Sequence, residues 1–294
     1  MLELLQPLQL ALSTSTALCA LFAGLLGLLV GSFLNVVIYR LPVMMQANWR
    51  KDCLAYLELP PEPEQTVFNL VWPSSHCPVC KAAVKPEQNI PVLSYLLLRG
   101  RCAGCGTPIP LRYPFVELLT AVLSGLVAWH FGYAPQTIFA LLLTWCLVAL
   151  SFIDIDHHLL PDSITLPMLW LGLLLSLTGL FTDTHASIIG AVAGYLVLWS
   201  VYQVFKLATG KEGMGFGDFK LLALLGAWLG WQALPLIVLL SSLVGSVLGI
   251  TMAIFAGRDH TQPIPFGPYL AVAGWLALLW GDGINHFYLD SVGL

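Results

Sequence analysis

The chain has 294 residues, 58% of them hydrophobic and 10% charged. A soluble domain carries about 25% charged residues, and twelve basic plus sixteen acidic side chains cannot cover a water-facing surface of this size. Composition therefore excludes a soluble globular enzyme, a disordered chain and a nucleic-acid-binding domain, and points to an all-α polytopic membrane protein.

Apolar windows fall at 16–38, 115–131, 136–153, 164–181, 187–205, 219–231, 234–256 and 266–281. Each is read as a membrane span, since about 20 apolar residues cross a bilayer. The sixth is short and Gly-rich. The first ten residues hold no Lys or Arg, so the basic n-region of a cleavable signal peptide is absent, and the first apolar run reads as a retained helix. Eight spans with residues 40–112 in the cytoplasm put 154–163, 206–218 and 257–265 on the same side. All twelve basic residues then fall on that side or its flanks: eight between Arg40 and Arg112, then Lys206, Lys211, Lys220 and Arg258. The positive-inside rule is satisfied, with both termini periplasmic. The expected organisation is a first span at 1–39, a cytoplasmic domain at 40–112 and a seven-span core at 113–294.

Residues 40–112 form the one sizeable polar segment, Pro-rich and marginal in length for a self-supporting core. Cys77-Pro-Val-Cys80 and Cys102-Ala-Gly-Cys105 supply two CxxC pairs there. Four thiolates at such spacing complete a closed tetrahedral zinc site. Gly104 and Gly106 help the second pair turn. A cytoplasmic setting favours metal over disulfide, and no βαβ pattern announces a redox motif. Zinc would staple the loop. Cys19 and Cys146 lie in apolar spans and read as packing residues.

Ionisable residues beside a span are costly, about 2.5–3.5 kcal/mol at mid-span on insertion scales, so each is informative. Asp183 is expected in solvent, and Glu117 at the service of its own helix N-terminus. Asp154 and Asp156 close the third span and diverge by about 200° if still helical. Asp162, after Pro161, reads most simply as an N-cap of the fourth span. His157 and His158 read as interfacial residues. Glu212-Gly213-Met214-Gly215-Phe216-Gly217-Asp218-Phe219-Lys220 precedes the sixth span. Its glycines can let a substrate backbone approach closely at Gly215 and Gly217. Asp218 could cap the helix, and Lys220 could snorkel outward or balance a carboxylate. Two interfacial carboxylates brought together, such as Asp154 and Asp218, could share one proton. One then acts as base on water and the other as acid toward a carbonyl.

The pattern resembles the type IV prepilin peptidases of pilus and type II secretion systems. The resemblance runs through Gly31-Ser32-Phe33-Leu34-Asn35, Arg40-Leu41-Pro42, the CxxC pairs, Asn89-Ile90-Pro91, Ser94-Tyr95-Leu96, Tyr113-Pro114 with Glu117, and Ile153-Asp154 to Leu160-Pro161-Asp162. It ends on Gly215-Phe216-Gly217-Asp218, the GxGD motif shared with presenilin-like intramembrane aspartyl proteases. It implies that Asp154 and Asp218 are the catalytic pair. It also implies cleavage of prepilins or pseudopilins after Gly at the cytoplasmic face of a bacterial inner membrane. The new N-terminus would then be methylated with S-adenosylmethionine. No Rossmann-type glycine unit marks the methyl-donor site, so the polar loop is its expected host, around Asn89, Arg99, Gly100 and Arg101. Two other classes compete: a proton-coupled transporter with an aspartate relay, which would carry its charges near the bilayer midplane, and a zinc-stapled interaction module without catalysis, which leaves the GxGD segment unexplained.

Overall fold

The computed structural model describes residues 2–60, 67–255 and 265–292. Arg258 and most of the segment at 257–265, expected on the cytoplasmic side, lie outside the described residues. The elements are α-helices: α1 (Leu2–Thr14), α2 (Thr16–Tyr56), α3 (Leu93–Leu97), α4 (Arg112–Phe131), α5 (Pro135–His157), α6 (Asp162–Ser176), α7 (Thr184–Thr209), α8 (Phe216–Leu229), α9 (Leu234–Phe255) and α10 (Gly267–Val292). Two isolated β-bridges, His76 with Ala83 and Arg101 with Pro108, are the extended pairings among the described residues. Each of the eight apolar windows is centred on one helix, the fourth and sixth running past the ends of α6 and α8.

Four helices are long and apolar enough to cross a membrane by length and composition: α2, α4, α5 and α7. Shorter apolar stretches cover Asp162–Ser176, Trp231–Val247 and Gly267–Gly281. The chain is a multi-pass membrane protein by this measure. Its outer faces agree, since Leu21, Leu25 and Leu29 lie four residues apart on α2 and are 60%, 54% and 62% exposed. A stripe of that kind is unfavourable in water and natural against lipid.

Several boundaries differ from those expected. A helix, α1, precedes the first span. Ser15 caps α2 by accepting from the Leu18 N–H, and α2 then runs 41 residues, through Pro42 to Tyr56. The first part of the polar segment is therefore a helical extension of the first span. The fourth window ends early: α6 stops at Ser176, followed by a turn in which Gly179 has φ 64°.

The chain divides into two compact units, Met1–Trp145 and Cys146–Leu294. In the first, α2 packs against α4 through small residues. Gly31 lies against the α4 backbone at Glu117, and Gly27 against Ser124. Asn35 Nδ2 donates to the Tyr113 carbonyl at 3.1 Å. Arg40 is buried; its guanidinium donates to the Asn69 and Pro73 carbonyls at 2.9 and 2.7 Å. One cation thus ties the loop after residue 67 to the end of the span.

The second unit is built round α8. This helix has 14 residues, so it rises about 21 Å, less than the roughly 30 Å hydrocarbon core. Leu221 through Trp228 are all buried. α8 is enclosed by α6, α7 and α10. Gly190 of α7 and Gly226 of α8 bring the two backbones together where no side chain would fit. Trp228 Nε1 donates to the Met168 carbonyl at 2.7 Å, joining α8 to α6. The Gly-rich sixth window is thus a buried central helix.

Candidate active site and metal centre

Helix α5 continues past its apolar run. The His158 N–H still donates to the Asp154 carbonyl at 2.9 Å. His158 itself has φ 52° and ends the helix. Because the segment is helical through His157, the two aspartates separate by face. Asp154 is 6% exposed, whereas Asp156 is exposed. His157 is half-buried and His158 exposed.

Gly215 is the N-cap residue of α8, in extended conformation at φ −79° and ψ 149°. Asp218 sits in the first turn, its N–H donating to the Gly215 carbonyl at 3.3 Å. Its carboxylate does not cap the helix. It is buried at 7% exposure, and its Oδ1 atom has no hydrogen-bond partner among the described residues. Buried polar atoms are almost always satisfied, so an orphaned carboxylate oxygen marks a place kept for something else.

Asp154 and Asp218 line one cavity of about 210 Å³, together with His158, Leu159, Leu160, Asp162, the Gly215–Gly217 segment and Lys220. A third element reaches Asp154. The Gly267 N–H, at the first residue of α10, donates to Asp154 Oδ2 at 3.0 Å. A Cβ on Gly267 would lie 2.7 Å from that oxygen, so the contact requires glycine. Sequence reading missed Gly267; the signal available was a Phe-Gly-Pro run opening the last span. It also missed Leu160. A Cβ on Gly217 would meet the Leu160 Cβ at 2.8 Å, and one on Gly267 would meet Leu160 Cδ2 at 3.2 Å. Leu160 therefore fills the space left by both glycines. Gly215 has no such neighbour, its absent Cβ meeting only Asp218 Oδ2 at 3.8 Å.

Three other carboxylates differ from expectation. Pro161, not Asp162, is the N-cap residue of α6. Both Asp162 oxygens instead accept from Lys220 Nζ at 2.7 Å, so Lys220 balances a carboxylate. Asp183 is not merely solvated: its Oδ1 accepts from the Ala186 N–H at 3.0 Å and caps α7. Glu117 lies beyond the first turn of α4; it is buried and accepts from the Val92 N–H at 2.7 Å. That bond holds a β-branched residue at φ 60°, a conformation that costs energy outside glycine.

The four cysteines gather as expected. The sulfurs of Cys77, Cys80, Cys102 and Cys105 all lie within 4.8 Å of one another and could hold a metal ion. The two CxxC turns are built alike. Cys77 N–H donates to the Ala82 carbonyl and Lys81 N–H to the Cys77 carbonyl; Cys102 and Gly106 repeat the pattern with Thr107. Lys81 and Gly106 occupy the equivalent left-handed position, at φ 60° and 71°. Gly104 has no such backbone need; its open side lies 3.4 Å from the Cys80 sulfur. The Thr107 hydroxyl and backbone beside Cys105 bring its thiol down to about 6. The thiolate, the metal-binding form, is thus favoured at Cys105, whereas the Cys80 thiol of the same cluster is pushed up to about 11.

Asn89 ends a short 3-10 helix and is exposed. Arg99 and Arg101 are exposed and flank buried Gly100, which has φ 68° and lies against the Tyr95 ring. The Ile109 N–H donates to the Gly100 carbonyl at 2.7 Å. This turn leads directly into the second CxxC pair.

Residues 25–131 match the bacterial peptidase A24 N-terminal domain, and residues 141–250 match the type IV leader peptidase family. A prepilin leader peptidase/N-methyltransferase of Stutzerimonas stutzeri is 58% identical over 94% of this chain and 95% of its own length. Proteins of the same name from Pseudomonas aeruginosa and Neisseria gonorrhoeae are 59% and 52% identical, over 92% and 89% of this chain and 93% and 91% of theirs. The chain belongs to the type IV leader peptidase family. No solved structure matches it. The four cysteines lie within the N-terminal domain match, and Asp154 and Asp218 within the peptidase match. A transporter is not favoured, because both buried aspartates sit at helix ends rather than in mid-span.

Proposed function

We propose that this protein is a membrane aspartyl endopeptidase. It removes the leader of prepilins or pseudopilins after Gly and then methylates the exposed N-terminal amine. One observation carries the peptidase reading: two buried carboxylates from different helices line one cavity, and one of them keeps an unpartnered oxygen.

The chemistry follows from that asymmetry. A water molecule between the two groups loses a proton to one aspartate as its oxygen attacks the scissile carbonyl carbon. The other aspartate gives a proton to the carbonyl oxygen. Collapse of the tetrahedral carbon breaks the C–N bond, and the departing amine takes the proton first removed from water. The pair titrates as one unit. The Gly267 N–H fixes the orientation of Asp154, which prepays part of the entropy of arranging the reaction. Extended backbone at Gly215 gives a substrate strand room beside Asp218. Gly217 contributes by letting α8 close on Leu160.

The four thiolates suit zinc. At Zn–S of about 2.3 Å a tetrahedron has edges of about 3.8 Å. The Cys77–Cys105 and Cys80–Cys102 separations are 3.8 and 3.9 Å. Zinc there is structural, since four sulfurs leave no open position. S-adenosylmethionine supplies the methyl group. Its carboxylate suits the exposed Arg99 and Arg101 guanidinium groups, with Asn89 and the Gly100 turn beside them. The division into a first span at 1–39, a polar domain at 40–112 and a membrane core at 113–294 sorts the chain by solvent; packing sorts it differently, with residues to 145 in the first unit. The protein resides in the bacterial inner membrane with its peptidase site toward the cytoplasm and both termini periplasmic, a reading supported by the distribution of the basic residues.

The test is incubation of the purified protein with a prepilin and S-adenosylmethionine, followed by mass analysis of the product N-terminus. Asp154→Asn and Asp218→Asn should each reduce cleavage by on the order of a thousandfold or more, whereas Asp156→Ala should process normally. Full processing by either catalytic variant overturns the assignment.

A further inference from the structure

Two contacts join the turn between α5 and α6 to the first turns of α8. One is apolar: Leu160 packs at Gly217. The other is ionic: Lys220 Nζ bonds both oxygens of Asp162 at 2.7 Å. Asp154 lies just before this turn, and Asp218 lies two residues before Lys220. Both residues of the ion pair line the same cavity as the two buried aspartates.

Stability does not explain the ion pair. The Lys220 and Asp162 side chains are 29% and 54% exposed, and pairs so exposed contribute about 0–1 kcal/mol. Helix capping does not explain Asp162 either, since its carboxylate is turned away from its own helix onto α8. What the pair does fix is geometry. Asp154 closes α5 and Asp218 opens α8, so their relative placement depends on how the intervening turn is held against α8. Leu160 sets how closely the turn approaches. The packing of α6 on α8 lies beyond the turn, around Gly172 and Trp228, so within the turn a rotation about the Leu160 contact would still alter the aim of the two carboxylates. A second, bidentate contact removes that freedom.

We propose that Asp162 and Lys220 are positioning residues for the Asp154–Asp218 pair, forming an ionic strut that holds the α5–α6 turn in register with α8. This rests on the peptidase reading of those aspartates. The strut touches neither the water nor the scissile bond; it acts through the carboxylates it aligns. Small displacements of reacting groups lower turnover by up to about a hundredfold. Removal of the strut should therefore lower kcat and leave KM nearly unchanged.

The experiment is steady-state cleavage of a prepilin by the full-length protein in detergent or lipid. It compares Lys220→Met, Asp162→Asn, Lys220→Arg and the reversed pair Asp162→Lys with Lys220→Asp. Each neutralising single variant should lose about ten- to a hundredfold in kcat, with KM within about twofold of the parent. Lys220→Arg keeps the cation and replaces one ammonium nitrogen on both oxygens by a two-nitrogen fork, and it should retain more kcat than Lys220→Met. The reversed pair should recover most of the kcat lost by the singles. The proposal is overturned if both neutralising variants keep parental kcat, or if they lose activity through KM. It also fails if the reversed pair, expressed at parental level, recovers nothing. Asp154→Asn and Asp218→Asn run in parallel. If those cleave normally, the peptidase assignment itself has failed; if they are dead while the strut variants are unaffected, only the strut has failed.

Discussion

Leu160 occupies a gap between two glycines that are far apart in sequence, and the consequences are local and measurable. Gly217→Ala would drive a methyl group into the Leu160 Cβ, a contact of 2.8 Å in the unchanged structure. Overpacking of this kind costs about 1–3 kcal/mol. It would also push the α5–α6 turn from α8 and spread the aspartates. Gly217→Ala should therefore lose most cleavage activity. Adding Leu160→Ala should restore part of it by returning the space, as read by prepilin processing in the single and double variants. If the double variant is no better than the single, Gly217 serves the substrate backbone rather than Leu160. At this scale the sequence displayed the chemistry but not the partners. Scarce charges drew attention to the interfacial carboxylates, helical periodicity foretold that Asp154 and Asp156 would not share a face, and the resemblance chose Asp154. Periodicity could not show that Asp162 leaves its helix cap for Lys220, nor that a backbone N–H from residue 267 reaches Asp154. Those contacts span 58 and 113 positions of chain, and no local pattern encodes them.

At the scale of elements, the CxxC turns contrast with α8. Each turn is a local structure with its own hydrogen bonds and left-handed residue, so the sequence announced it. The segment from residue 67 to 111 has one α-helix of five residues, one short 3-10 helix and few buried side chains, so little besides the cysteine cluster, Arg40 and the Glu117–Val92 bond holds it. Zinc in small thiolate sites binds with about 10–16 kcal/mol of apparent free energy. Chelation should make residues 67–111 sensitive to limited proteolysis while the membrane helices stay protected. Cys102→Ser should do the same without chelator and lower the bound zinc measured by elemental analysis. Unchanged protease resistance in the metal-free protein would remove zinc as the staple. The central helix α8 was harder to recognise. The substrate-approach reading concerned Gly215 and Gly217 and said nothing of Gly226, which meets Gly190 of α7. Helix proximity, not loop freedom, is what that glycine provides, and packing against another helix leaves no sequence-local mark.

For the whole molecule, the question is how many of the helices cross the bilayer. α8, at 14 residues, is shorter than a typical span but is shielded on several sides by other helices. Eight crossings place all twelve basic residues on one side, which seven crossings without α8 or α9 would not. A reporter fused after Trp231 and another fused after Arg258 should therefore read opposite sides of the membrane. The same side for both would require α9 not to cross. Chain order and hydropathy were sufficient for the order of the apolar helices from α2 onward, because a bilayer demands long uncharged runs with satisfied backbones. They did not reveal the helical extension of α2 to Tyr56, since a polar helix supported by Arg40 and its carbonyl partners lacks an apolar signature. By itself the sequence determined the membrane class and the four-cysteine set, because each depends on residue identity at short spacing; the two acids of the candidate peptidase came from the resemblance carried by the motifs around Asp154 and Asp218. Tertiary structure alone decided which atoms face those acids. The Gly267 N–H, the Leu160 wedge and the Lys220–Asp162 pair arise from helices that meet only after the chain folds.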